Sequence, residues 1–106
     1  MQLQTQTIEQ ICRKFKMEAE KISDVIDSSK GEADIRLMYI INDNWVLRLY
    51  NTKKIIEEYL VEYHELVQKY RALGVERPDL RKTVEDTYLC NAFCNMQWLY
   101  CYMEEL

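Results

Sequence analysis

Two glycines and one proline are all that 106 residues contain. That is too few for a collagen-like repeat, a disordered chain or a linker between domains. One folded unit over residues 1–106 is expected, with a helix in 1–17 attached to a body formed by 18–106. Basic residues are not in excess: 14 Lys and Arg against 18 Asp and Glu give a formal charge of -4, with the signs interspersed. No basic stripe is present to release counterions, which argues against a nucleic-acid partner, and a bare membrane surface is equally poorly served. No apolar run approaches the roughly 18 residues of a transmembrane helix. The N-terminus MQLQTQTIEQ has neither the basic nor the apolar region of a signal peptide, so a cytoplasmic protein is expected. Cys12, Cys90, Cys94 and Cys101 form no C-x-x-C pair, and the one histidine, His64, falls in a helical pattern. Cys90 and Cys94 share a strand face and could ligate a metal, but buried apolar thiols account for them better.

What is present is apolar and aromatic material, 48% and 11% of the chain, enough for one compact core. Thr7 is a candidate helix cap with Gln10 three residues on, and Ile8, Ile11, Cys12 and Phe15 recur at helical spacing behind it. A strand is expected near residues 20–27, followed by a polar turn through Ser28, Ser29, Lys30 and Gly31. DIRLMYII and WVLRLYN flank Asn42, Asp43 and Asn44, and this reads as a β-hairpin. With Asp43 and Asn44 at the centre of the turn, Leu37, Tyr39, Ile41, Val46, Arg48 and Tyr50 share one face, and Met38, Ile40, Trp45, Leu47 and Leu49 the other. The spacing of Ile56, Tyr59, Leu60, Tyr63, Leu66, Val67, Tyr70 and Leu73 predicts a long helix over about 52–73, stopped by Gly74 and Pro78. TYLCNAFCN and MQWLYCYM predict a second hairpin turning near Asn95. The expected class is α+β: a mainly antiparallel, twisted five-stranded sheet, the long helix inserted between strands three and four and lying across it, and a short N-terminal helix.

This order, together with NDNWVLRLYN, a glutamate-rich helix and LGVERPDL, resembles the N-terminal, nucleotide-binding lobe of aminoglycoside phosphotransferases and related kinase-like small-molecule kinases. The end, LYCYMEEL, looks like the fifth strand running into the hinge between lobes. The resemblance covers roughly residues 20–106. It implies that Arg48, where the family places a lysine or arginine, binds nucleotide phosphates. Glu62 of the helix would orient it, with Glu65 and Glu58 the alternatives. Ser28 and Ser29 would approach phosphate, and the backbone around Glu104, Glu105 and Leu106 would contact adenine. The implied reaction moves the γ-phosphoryl of ATP, with Mg2+, to a hydroxyl of a small molecule. No aspartate base, asparagine or second aspartate for magnesium follows the hinge segment. The resemblance therefore implies a lobe of a longer enzyme, or a lobe that stands alone, with no turnover by itself and weak nucleotide binding at best. The partner would be the missing C-terminal lobe or a second copy in a homodimer, docked on Trp98, Leu99, Tyr100, Tyr102, Met103 and Leu106. Two readings compete with this. Arg48 can be a strand residue whose stem is buried and whose head reaches water, and the chain can be a small interaction module that uses its aromatic face.

Overall fold

The computed structural model describes residues 1–106. The elements run α1 (Thr5–Lys14), β1 (Ile26–Asp27), β2 (Arg36–Ile41), β3 (Trp45–Tyr50), α2 (Glu57–Ala72), β4 (Cys90–Cys94) and β5 (Gln97–Glu105). The class is α+β, with a five-stranded sheet in the order β1-β2-β3-β5-β4 in which every neighbouring pair is antiparallel. No helix is long and apolar enough to cross a membrane.

Ile8, Ile11, Cys12 and Phe15 are buried as their spacing requires, and they seat α1 on one face of the sheet. Thr7 does not cap this helix. The N-cap is Gln4, without a side-chain hydrogen bond, because Leu3 is pinned to the sheet by its N–H donating to the Tyr39 hydroxyl (2.9 Å), and the helix starts directly behind that anchor. Lys16, at φ 60, turns the chain out of α1 while Met17 N–H donates to Cys12 O (3.1 Å). That is the closure in which a residue past the helix end adopts a left-handed conformation. The strand expected over 20–27 shrinks to Ile26–Asp27, preceded by an isolated bridge from Ile22 to Ile41.

The β2–β3 hairpin forms, but its loop has three residues rather than two. Ile41 pairs with Trp45, and Asn42 (φ 53) and Asp43 (φ 64) both take left-handed conformations. The Asn42 side chain accepts from Glu20 N–H and Lys21 N–H and donates to Glu18 O, which draws it into the loop. One residue of register exchanges the faces of one strand relative to the other. Leu37, Tyr39, Ile41, Trp45, Leu47 and Leu49 therefore share the face under α1, and Met38, Ile40, Val46, Arg48 and Tyr50 share the other. The β4–β5 hairpin turns at Asn95 and Met96, both at positive φ, as a two-residue loop between right-twisting strands favours.

Helix α2 forms and ends at Gly74 (φ 82), with Val75 N–H donating to Tyr70 O. Its buried side meets the connection into β4 and Tyr102 of β5. Leu60 packs on Leu80 and Tyr88, and the Tyr63 hydroxyl donates to Pro78 O (2.8 Å). The Glu57 carboxylate accepts from the N–H groups of Tyr88 and Leu89. The helix thus rests on the connection that leads into β4. Of its eight apolar positions only Leu60 and Val67 are buried.

Candidate functional site

The face of the sheet away from α1 carries the groups with chemistry. Strand pairing sets Met38, Arg48 and Tyr102 side by side across β2, β3 and β5, with Ile26 beyond Met38. Val46 and Glu104 form the next rung, and Tyr50 and Tyr100 the one on the opposite side. Arg48 is half-buried, and its Nε donates to Glu104 Oε1, the diagonal neighbour on β5. Burial alone lowers the arginine pKa, but the hydrogen bond and charge of Glu104 outweigh it and the net shift is upward. The Tyr50 and Tyr102 rings stack, with centroids 6.1 Å apart. Burial first, and then the neighbouring Tyr50 hydroxyl, push the Tyr102 phenol well above its ordinary value. It therefore stays neutral and serves as a hydrogen-bonding group rather than a base.

The expected pairing of Arg48 with Glu62 is not made. Glu62, Glu65 and Glu58 all project from α2 into solvent without an ion pair, because α2 is anchored elsewhere. The anchor is Asp79, which is buried. Its carboxylate meets His64 Nδ1 (2.8 Å), accepts from Gln68 Nε2 (2.8 Å) and accepts from Leu80 N–H (2.7 Å). Arg71 lies 3.9 Å from the same carboxylate and donates to Glu105 Oε1 (3.0 Å). His64, Gln68 and Arg71 recur at i, i+4 and i+7, a polar stripe on α2 that could have been read from the sequence. Asp79 carries no such signal.

The remaining expected residues divide. Glu104 belongs to the site through its side chain rather than its backbone. Glu105 N–H donates to Asp79 O (2.8 Å) and Leu106 N–H to Asn44 O (3.1 Å), so both amides assigned to adenine already have protein acceptors. Ser29 Oγ accepts from Arg36 N–H (2.9 Å), Ser29 N–H donates to Asp27 Oδ1 (3.0 Å) and Ser28 N–H donates to Arg36 O (3.0 Å). These serines close the β1–β2 loop, and the Ser28 hydroxyl is the one left exposed. Cys90 and Cys94 join no metal-binding group, and no cluster of three or more His, Cys, Asp or Glu exists that could hold an ion. Cys12, Cys90, Cys94 and Cys101 are free thiols, and burial raises the pKa of each, that of Cys12 to about 11. Of the expected docking patch, Leu99 and Met103 face α1 and are fully buried, while Trp98, Tyr100 and Tyr102 alternate with them on the other face and Leu106 is exposed. No protein-family model, curated protein or solved structure matches the chain.

Proposed function

We propose that the chain is the nucleotide-binding lobe of an ATP-dependent phosphotransferase acting on a small molecule, similar to the aminoglycoside phosphotransferases. The observation that supports this best is the position of Arg48. It is the central cation of the sheet face away from α1, on β3 of a β1-β2-β3-β5-β4 sheet with the long helix between β3 and β4. Met38 and Ile40 would offer the apolar surface that a purine needs, and the guanidinium the bidentate donors that phosphate oxygens accept. Bound ATP would supply the phosphoryl group for transfer to a substrate hydroxyl. This chain's part is binding and charge compensation. With no acidic cluster of its own, it leaves the magnesium ligands and the general base to a second lobe.

Titrating a methyl-labelled chain with Mg-ATP tests this. Weak binding is expected, with shifts at Met38 and Ile40 and none at Leu47, Leu49 and Met103 on the opposite face. Silence of the open face at millimolar nucleotide would sink the reading. Low-micromolar affinity would show instead that one lobe holds a complete site.

A second reading, a protein-interaction module, is favoured by the pair Phe93 and Trp98. Their ring centroids are 5.2 Å apart, yet the residues remain 58% and 55% exposed. Paired aromatics at a strand end make interface anchors. Homodimerisation through this end, seen as concentration-dependent sedimentation abolished by Trp98→Ser, would favour that reading.

A further inference from the structure

We propose that Glu104, on β5, is the positioning residue of Arg48 and turns the outer edge of its guanidinium toward a polyphosphate on the open face of the sheet. The polyphosphate clause rests on the reading above, while the positioning rests on geometry alone. Arg48 donates through Nε to Glu104 Oε1 and makes no other hydrogen bond or ion pair. Its two Nη groups have no protein acceptor, and they are not buried orphans either, since the one such atom in the chain is Arg71 Nε. They therefore face solvent. A guanidinium fixed by Nε and free at both Nη groups is a planar two-donor fork, the arrangement that matches phosphate oxygens.

Glu104 is suited to hold it. The side chain is 16% exposed, and its backbone lies between β3 on one side and the Leu80 bridge on the other. The carboxylate is thus carried by a strand paired on both edges. Helix α2 could not do this as it stands, because the Asp79 cluster with His64, Gln68 and Arg71 ties it to the end of β5 and its glutamates point outward. The acceptor that holds the cation is thus part of the sheet rather than of α2.

Side-chain nitrogen–proton spectra of arginine in the whole chain decide the assignment. E104L should accelerate solvent exchange of the Arg48 Nε–H by ~10-fold, the scale of one lost charge-assisted hydrogen bond. E104Q keeps an acceptor and should retain most of the protection, and E62Q should change nothing. Methyl signals of Leu47 and Leu99 report whether each variant is folded, with E104A replacing E104L if that chain does not fold. A moved Arg48 signal in E62Q, or unaltered exchange in E104L and E104A, overturns the positioning. Magnesium tripolyphosphate then probes the presented edge. Shifts of the Arg48 Nη signals in the unmodified chain and E104Q, lost in E104L, support it. No shift in the unmodified chain overturns the phosphate reading of Arg48, and the exchange data still judge Glu104 independently.

Discussion

The two faces of one sheet have opposite characters. Toward α1, Leu37, Tyr39, Ile41, Leu47, Leu49, Leu99, Cys101 and Met103 are all at most 2% exposed and join Phe15 and Leu3 in one core. On the other side, Met38, Ile40, Arg48, Tyr50, Tyr100 and Tyr102 are half-buried, and an ion pair stands in their midst. Strand residues alternate between the faces, so most residues of the first core are next in sequence to a half-buried one on the second, with Val46 the buried exception. Stability can be held on the first face while the chemistry of the second changes.

Truncating one residue from each face should sharpen this contrast most visibly. Leu47→Ala empties a site with no exposure and should cost about 3 kcal/mol, within the range for buried leucine. Tyr100→Ala, at a half-buried position, should cost about 1 kcal/mol or less. Urea unfolding midpoints measure both, and equal losses would mean that the open face is covered by something in solution.

The thiols set a second contrast. Cys12, Cys90 and Cys101 line the buried face and have raised pKa values from burial, with Cys12 moved from 9.0 to about 11. A raised folded-state value means that the neutral thiol is favoured by folding. Their stabilisation is complete below pH 9 and is lost as pH climbs from 9 toward 11. Melting temperature should fall across that window, and Cys12→Ala should flatten the fall.

How much of this was legible follows from range. The Asn42–Asn44 loop, the Gly74 stop and the turn at Asn95 are local, and residues that tolerate positive φ announced them. The facing of β3 against β2 was not local, since Asn42 is drawn into the loop by Glu18, Glu20 and Lys21. The apolar stripe from Ile56 to Leu73 announced a helix without saying what it covers, and Tyr59, Leu66 and Leu73 prove exposed. Arg48 stood out as a lone charge inside a strand. Its partner lies 56 residues on, across a β3–β5 pairing that no periodicity encodes.

Asp79 marks the boundary between the sheet and α2. Asp79→Ala removes acceptors from His64, Gln68 and Leu80 N–H at once, and should cost about 2 kcal/mol as buried donors lose partners. Hydrogen exchange should show α2 amides opening first and the strands under α1 unchanged.

Arg48 and Glu104 should matter less to stability than to function. Both are partly solvated, so a double-mutant cycle between Arg48→Met and Glu104→Gln should give a coupling of about 1 kcal/mol. A coupling as large as the Leu47→Ala loss would move this pair from the open face's chemistry to the fold's support.

The smallest effect is expected where the cover over the buried face meets solvent. The Met1 ammonium lies 2.8 Å from Asp27 Oδ2, just ahead of Leu3 and its bond to Tyr39. Hydrogen bonding from that ammonium first, and then from Ser29, holds the Asp27 carboxyl far below the usual carboxylate range. A depressed folded-state value contributes stability that is present above the unfolded pKa of about 3.9 and is lost as pH falls below it. Acetylating the N-terminus should therefore flatten the acid-side slope below about pH 4 by lowering the midpoint slightly at pH 7 and hardly at all in acid, a small loss since the pair is solvent-accessible and screened. A large loss at neutral pH would show that this one ion pair, rather than the apolar seat of Leu3, keeps the N-terminal segment on the sheet.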